Sequence, residues 1–368
     1  MEVYLVGGAV RDYLLGTNSE DKDWVVVGST IEEMIGLGFK PVGKSFPVFI
    51  HPDTKEEYAL ARTEKKVARG YHGFTFYTGS SISLNEDLLR RDLTINAMAM
   101  DSNGNIIDPY QGREDLNNKI LRHVSPAFSE DPLRILRLAR FIARLCFQVH
   151  PETRHLVEIM VESGEINSLT KERIWQEFSK GLSEKYPYEM LLFLFETGVM
   201  KSIFPELHFA FEMNKKAIKN MLNPDHLMNI DLSQRLVSIL IFFRSETKIR
   251  EFLVLLKVPK KIVHYVMTFY CILKLCREVS EFKSETILML FELGDAFRHP
   301  ERFENMLSLL KRIKNYLNIQ SDLFEYNLDN IFQKIQSLDI SKLIIGKVGL
   351  DVQKAIRGAR LKQIEALL

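Results

Sequence analysis

The feature that most constrains the fold of this chain is a change in hydrophobic pattern near residue 130. Before that point, short runs rich in β-branched residues alternate with glycines and turn signals, as at Glu2–Val6 and Asp23–Val27. After it, apolar residues recur at helical spacing in one segment after another, and strand signals become scarce. The pattern predicts an α+β chain, with a small mixed α/β head followed by an all-α remainder.

Short elements separated by turn signals are predicted within the head. A helix is expected over 9–15, strands over 48–51 and 58–63, and a capping box at Thr30 starts another helix. Residues 64–83 mix basic, aromatic and glycine residues without a regular period, which predicts a long mobile loop of the kind that is either functional or disordered. Helical spacing beyond the head is clearest in six segments, which are 131–145, 187–195, 232–243, 260–275, 285–297 and 301–316.

Composition is that of an ordinary globular protein, but the charge is unevenly distributed. The 368 residues, 46% hydrophobic and 26% charged, suit two or three domains. Three cysteines form no disulfide framework, and no apolar run approaches the ~20 residues that span a membrane. Residues 1–120 carry 13 Lys and Arg against 18 Asp and Glu, and the rest carries 36 against 30. We therefore expect a cytoplasmic protein whose acidic front suits a metal and whose basic remainder suits a polyanion.

The stretch VGGAVRDYLLGTNSEDKDWVVVG joins a glycine turn, a short helix and two acids. A strand that leads into Gly7 and Gly8 and then a helix presents backbone N–H groups to an anion, with no side chain to obstruct a triphosphate. Arg11 on that helix is a candidate to pair with phosphate oxygens. Asp21 and Asp23 stand one residue apart, and on a strand such residues share a face. Two carboxylates placed in this way suit Mg²⁺ that is shared with nucleotide phosphates.

A second candidate segment places acids before a stripe of arginines. Pro132 with acids around it forms a strong helix start, and Asp131 and Arg134 lie one turn apart. A carboxylate accepts hydrogen bonds and a guanidinium donates them, so this pair is suited to read the edge of a base. Arg137 and Arg140 continue the same helix toward base or phosphate. Taken alone, the segment also fits an amphipathic helix with solvated arginines.

These segments and two further motifs together resemble one known family. The likeness is carried by GGAVRD at 7–12 with DKD at 21–23, RRDLTINA at 90–97, DPYQG at 108–112 and EDPLR at 130–134. The chain resembles the bacterial class II CCA-adding tRNA nucleotidyltransferases and the related poly(A) polymerases over roughly residues 1–200. HVSPAF at 123–128 is most similar to the tRNA nucleotidyltransferases.

The resemblance implies a polymerase-β-like nucleotidyltransferase head at 1–121, a helical neck with the nucleotide-selecting helix at 122–200, and an all-α body and tail at 201–368 that binds tRNA. It implies Mg²⁺-dependent, template-independent addition of the 3′-terminal CCA to tRNA from CTP and ATP. Asp21 and Asp23 would be the catalytic metal ligands. The implied nucleotide-binding residues are Gly8, Arg11, Arg91, Asp92, Asp131, Arg134, Arg137 and Arg140.

Several alternatives stay open at the level of sequence. Glu57 and Glu64 are both candidates for a third metal-site acid, and their spacing does not choose between them. A poly(A) polymerase, an enzyme that adds only CC or A, and a non-catalytic RNA-binding protein all compete with full CCA addition. Asp108 is expected to support a turn rather than to take part in catalysis.

The helical remainder is expected to hold the acceptor arm of tRNA. Six basic residues between 342 and 362 predict an RNA-facing helix, although a solvated basic helix fits the same composition. The chain lacks the His-Asp pair that a metal phosphohydrolase domain needs, so no second hydrolase activity is expected. We expect a monomer that makes no membrane contact.

Overall fold

Strands lie within the first 150 residues and helices make up nearly all of the rest, which confirms the predicted fold class. The structure is a computed structural model that describes residues 1–17, 22–42, 48–66, 74–317, 319, 321–343 and 345–368. It divides into two compact units, Met1–Phe209 and Ala210–Leu368. The division into head, neck and body at residues 121 and 200 stays a prediction.

The head is built mainly from short strands with short helices between them. In chain order its elements are β1 (Glu2–Val6), α1 (Gly8–Leu14), β2 (Asp23–Val27), α2 (Ile31–Gly36), β3 (Lys40–Val42), β4 (Val48–Ile50), β5 (Glu57–Leu60), β6 (Arg62–Lys66), β7 (Phe74–Thr78), α3 (Leu84–Leu89), β8 (Ala99–Met100), β9 (Ile106–Ile107), α4 (Gly112–Asn117) and β10 (Ile120–Leu121).

Helices follow with a single short strand among them. The described elements are α5 (Leu133–Leu145), β11 (Gln148–Val149), α6 (Pro151–Glu162), α7 (Lys171–Ser183), α8 (Pro187–Glu196), α9 (Val199–Ile203), α10 (Pro205–Met221), α11 (Leu232–Leu240), α12 (Glu246–Leu255), α13 (Lys260–Glu278), α14 (Ser284–Leu293), α15 (Pro300–Ile313), α16 (Leu328–Gln336), α17 (Ile340–Leu343) and α18 (Leu350–Glu365). None of the described helices is long and apolar enough to cross a membrane.

The central sheet of the head has seven strands in the order β3-β4-β5-β2-β1-β8-β9. β2 pairs antiparallel with β1 and parallel with β5, so these three strands form its middle. Apolar side chains alternate between its faces. Val6 and Val25 join one buried cluster, and Val26 and Leu60 join another with Met34 of α2. Apolar side chains therefore cover both faces of the sheet, while Asp23 and Glu57 stand at the ends of its middle strands.

The segment predicted as a long loop over 64–83 contains a β-hairpin, so that prediction was wrong. β6 and β7 pair antiparallel, from Arg62 opposite Thr78 to Lys66 opposite Phe74, as a separate two-stranded sheet. Residues 67–73 lie outside the described part of the chain. The interleaved basic and aromatic residues of this segment gave no alternating apolar period, which is the signal that a hairpin with one buried face would give.

Local turn and capping chemistry agrees with the sequence. Thr30 and Glu33 form the predicted capping box at the start of α2, with hydrogen bonds of 3.0 and 3.3 Å. Asp108 accepts hydrogen bonds from the backbone N–H groups of Gly112 and Arg113 at 2.7 and 2.9 Å, and so supports the start of α4. Its carboxylate thus has a structural contact set, as predicted.

The second unit is helical and is built around an aromatic core. The rings of Phe291, Phe303 and Phe332 lie 5.2–6.1 Å apart, centre to centre. α18 packs on α14, where Arg357 bonds to Glu292 at 3.0 Å and the Arg360 guanidinium lies 3.5 Å from the centre of a phenylalanine ring. Part of the basic C-terminal helix is therefore engaged in its own packing.

Candidate active site

One cavity of about 680 Å³ in the first unit collects most of the residues that the sequence singles out. Its walls come from the β1–α1 turn, the starts of β2 and β5, the end of α3 and one side of α5. The predicted site residues that line it are Gly8, Arg11, Asp23, Arg91, Asp92, Asp131, Arg134, Arg137 and Arg140. Asp21 lies outside the described residues, so its position relative to the cavity stays a prediction.

Strand register sets the acidic edge of the cavity. Asp23 opens β2 and pairs with Glu57, which opens the parallel strand β5, so both side chains leave the sheet on the same side. On its other side Asp23 pairs with Val6, the last residue of β1, which places the glycine turn beside it. Glu64 belongs to the separate hairpin. Of the two candidate third acids, the fold therefore places Glu57 next to Asp23.

Gly7 makes the turn between β1 and α1 in a conformation that suits glycine. Its φ is 70° and its ψ is −129°, a region that residues with a Cβ rarely adopt. A Cβ at this position would lie 2.9 Å from Nη1 of Arg91. Arg91 therefore lies over the turn, and its buried Nε has no hydrogen-bond partner among the residues that the structure describes. A cationic side chain thus faces the place where the sequence predicts a triphosphate.

Arg11 is drawn into the protein and is 2% exposed. It donates two hydrogen bonds of 2.8 and 3.0 Å to Asp12 and a further one to the side-chain oxygen of Asn96. Asp12 also accepts from Arg144 of α5 at 3.0 Å. Arg11 thereby joins α1 to neighbouring segments. Direct phosphate binding by Arg11 stays a prediction, and these bonds do not use every N–H of the guanidinium.

Asp92 is a buried hydrogen-bond acceptor that also lines the cavity. It accepts from Nε of Arg137 at 2.7 Å, from the side chain of Asn96 at 3.1 Å and from the backbone N–H of Leu93 at 2.9 Å. Burial opposes its ionisation, but the charge of Arg137 and these hydrogen bonds outweigh burial and hold the pKa of Asp92 well below its usual range. Asp92 in turn raises the pKa of Arg137. Both groups therefore remain charged as a fixed pair.

The two residues predicted to read the base are each bound to other protein groups. Asp131 stands just before α5, and one of its carboxylate oxygens accepts from Arg173 of α7 at 3.0 Å. The Arg134 guanidinium donates to the backbone carbonyls of Arg90 and Arg91 at 2.6 and 3.3 Å. Both side chains line the cavity. A base that uses them must exchange with these internal partners.

Arg140 continues the stripe of arginines along α5. Its Nε lies 3.4 Å from a carboxylate oxygen of Glu177 on α7, and its guanidinium lies 5.4 Å from the ring centre of Phe141. Burial lowers its pKa, although an arginine stays protonated in this range. Two arginines of α5 thus lie against carboxylates, Arg137 in a hydrogen bond with Asp92 of the head and Arg140 in an ion pair with Glu177 of α7.

Sequence reasoning missed three residues that shape this site, namely Asp87, Arg173 and Glu177. Asp131 and Arg173 are 42 positions apart, so their contact leaves no local pattern. Asp87 did carry a local signal, because Arg90 and Arg91 follow it at the i+3 and i+4 positions of helical ion pairs. A search for carboxylates one helical turn before the arginine motif would have found it.

Comparison with known proteins agrees with this arrangement. Residues 3–122 match the family described as the poly A polymerase head domain, and residues 146–211 match the family described as a probable RNA- and SrmB-binding site of polymerase A. The chain is 45% identical to the multifunctional CCA protein of Neisseria meningitidis over 341 residues, which cover 84% of this chain and 81% of that protein. It is also 45% identical to the protein of that name from Chromobacterium violaceum, over 83% of each chain.

A solved structure shows the same likeness across nearly the whole chain. The CCA-adding enzyme of Bacillus stearothermophilus in complex with CTP has 25% sequence identity and a TM-score of 0.69, over 99% of this chain and 89% of that one. The α/β head followed by helices is therefore shared with an enzyme crystallised with a nucleoside triphosphate.

Proposed function

This chain belongs to the family of bacterial CCA-adding tRNA nucleotidyltransferases, and we propose that it builds and repairs the whole 3′-terminal CCA of tRNA from CTP and ATP. The reaction joins the α-phosphate of each nucleoside triphosphate to the RNA 3′-hydroxyl and releases pyrophosphate. One observation carries the proposal: a single cavity is lined both by the carboxylates of Asp23 and Glu57 and by the arginines of α5.

The acidic edge fits a divalent metal ion, the kind of ion that nucleotidyltransferases generally use. Asp23 and Glu57 offer exposed carboxylates at the same end of adjacent strands, and carboxylate oxygens are the ligands that hard divalent cations prefer. We propose Mg²⁺ as the ion, with Asp21 and Asp23 as the catalytic ligands and Glu57 as the third acid. A divalent ion held there would polarise the 3′-hydroxyl and offset phosphate charge.

The triphosphate is assigned to the glycine turn. Gly8 lets the nucleotide approach the backbone closely, and Arg91 above the turn supplies a cation beside it. Arg11 contributes through Nη2, which lies 3.5 Å from the position of a Cβ on Gly8. Asp92 lines the same cavity and accepts a hydrogen bond from Arg137, so we assign both to the sugar and base side of the nucleotide site.

Base choice is assigned to the start of α5. Asp131 and Arg134 supply an acceptor and a donor group one helical turn apart, and Arg137 and Arg140 extend this face. A protein that reads a base edge with fixed side chains needs no nucleic-acid template. The order C, C, A then depends on how these side chains are arranged at each step.

The RNA partner is tRNA, held at its acceptor arm and 3′ end. Phosphate contacts by Lys and Arg dominate such binding. Within 342–362, Arg357 and Arg360 contact other residues of the second unit, so we assign the phosphate contacts of this segment to its four lysines, which are Lys342, Lys347, Lys354 and Lys362. We propose that the chain acts as a monomer in the cytoplasm. Affinity for tRNA should then fall steeply as salt rises.

To test this, purified protein is incubated with tRNA that lacks the 3′-terminal CCA, together with Mg²⁺, CTP and ATP, and the 3′ ends of the products are sequenced. The proposal predicts addition of C, C and A and then arrest. A product extended by CC alone or by A alone would indicate a partial tRNA nucleotidyltransferase. A long A tail would indicate a poly(A) polymerase. RNA binding without any incorporation would refute it.

A further inference from the structure

Asp87 is a buried carboxylate that the proposed reaction does not use. It lies on α3 with 0% exposure, outside the residues that line the cavity. Burial opposes its ionisation, but the charges of Arg90 and Arg91 outweigh burial and hold its pKa below the usual range. A fully buried carboxylate loses its hydration, and this cost must be offset by hydrogen bonds and opposite charges on its oxygens.

The contacts of Asp87 divide between its two oxygens. Oδ1 accepts from Nε and Nη2 of Arg90 at 3.0 and 2.6 Å and from the backbone N–H of Arg62 at 3.3 Å. These bonds come from the end of α3 and the start of β6, so they fix the carboxylate in place. Oδ2 is then directed to Nη2 of Arg91 at 3.1 Å.

This arrangement holds one end of the Arg91 guanidinium and leaves the other end over the glycine turn. Nη2 is bound to Asp87, whereas Nη1 lies 2.9 Å from the position of a Cβ on Gly7. Arginine has many rotamers, and an anchored guanidinium loses less conformational freedom when a phosphate binds. The anchor therefore prepares Arg91 for an anion at the turn.

The geometry points to Asp87 as a positioning residue that aims Arg91 at the β- and γ-phosphates of the incoming nucleoside triphosphate. The inference rests on the proposed function. It places the contribution of Asp87 in the recognition of the triphosphate and not of the base, since Arg91 is its partner nearest the turn. Loss of Asp87 should thus weaken CTP and ATP alike.

The test compares the binding of CTP and of CMP to the full-length, tRNA-free protein by equilibrium titration. CMP shares the base, the sugar and one phosphate, so the ratio of the two dissociation constants reports the β- and γ-phosphates alone. In Asp87→Asn we expect the dissociation constant of CMP divided by that of CTP to fall about tenfold, as for the loss of one charge-assisted hydrogen bond. The affinity for CMP should stay within twofold of the wild type. CTP and ATP should lose equal affinity.

Glu86→Gln is the matched control, because Glu86 is the exposed neighbouring acid that caps α3 and does not touch the arginines. It should keep the ratio of the wild-type protein. If Asp87→Asn fails to unfold cooperatively, the double variant Asp87→Asn/Arg90→Gln is measured instead, since it also removes a guanidinium that would lack its carboxylate. The same tenfold loss is expected of it.

A variant at Asp87 that keeps the wild-type ratio, or that loses CMP and CTP affinity equally, overturns the inference. These outcomes differ from failure of the proposed function, in which the wild-type protein itself would show no preference for CTP over CMP and no incorporation. A wild-type protein that incorporates normally beside an unchanged Asp87→Asn variant would refute the role of Asp87 alone.

Discussion

Substitution of Gly7 by alanine should separate backbone strain from the position of Arg91. At φ 70° and ψ −129° an L-residue costs about 1–3 kcal/mol, so the turn before α1 is destabilised by that amount. The new Cβ would also lie 2.9 Å from Nη1 of Arg91, where ordinary contact begins near 3.4 Å. The guanidinium must therefore move by about 0.5 Å. Misplacement of 1 Å costs roughly 100-fold in rate, so half of that predicts about a tenfold loss.

The assay is steady-state incorporation of CMP into tRNA that lacks its CCA, with thermal unfolding of each variant measured beside it. Gly7→Ala should lower kcat/KM for CTP by about tenfold or more, once backbone strain adds to the shift of Arg91. Gly104→Ala is the control, because Gly104 has a similar φ of 82° with nothing within 4 Å of its virtual Cβ. It should lose stability and keep its activity.

Two outcomes would refute this reasoning. Activity of Gly7→Ala within twofold of the wild type would mean that Arg91 does not need its position over the turn. An equal loss of activity in Gly104→Ala would mean that strain anywhere in the head lowers the rate, with no special place for Gly7.

Two further predictions concern the carboxylates of the cavity. Glu57→Gln should lower incorporation at least 100-fold with nucleotide affinity little changed, because it removes a proposed metal ligand. Asp53→Asn, at an exposed neighbouring acid, should leave both incorporation and affinity unchanged. Equal activity of the two variants would show that Glu57 is not part of the site. Asp92 has a pKa held below its unfolded value of about 3.9, so its contribution to stability is present above that pH and is lost as the pH falls through the folded pKa. Asp92→Asn should therefore flatten the loss of stability between pH 5 and 3 in acid unfolding curves, and an unchanged acid limb would contradict the pairing with Arg137.

Elements with a strong local signal were predicted to the residue, and elements that depend on distant partners were not. β1 and β2 have their predicted bounds because apolar runs there end at glycine or at charge. The predicted helix at 131 begins at Leu133, since Asp131 adopts an extended backbone before Pro132. Local chemistry thus set the strands, and the steric effect of Pro132 on the residue before it set the start of α5.

The candidate site follows the same division. Asp23 and Arg91 stood out because their motifs are short and contiguous. Glu57 could not be separated from Glu64 by spacing, because that choice depends on where one strand ends and the next begins. Arg173 acts on Asp131 from another helix, and such a partner emerges only once the chain is folded, whereas Asp87 stands one helical turn before Arg90 and Arg91 and could have been found from its spacing.

The internal bonding of the arginine stripe has a consequence for discrimination among ligands. Arg134 and Arg137 already have protein acceptors for their hydrogen bonds, and Arg140 is paired with the charge of Glu177. An anion that binds one of these arginines must compete with a partner that the protein already supplies, so its net gain is reduced. A base whose edge matches several donors and acceptors at once can offset all of those exchanges together. Fidelity in such a pocket is a competition between the ligand and the protein's own side chains.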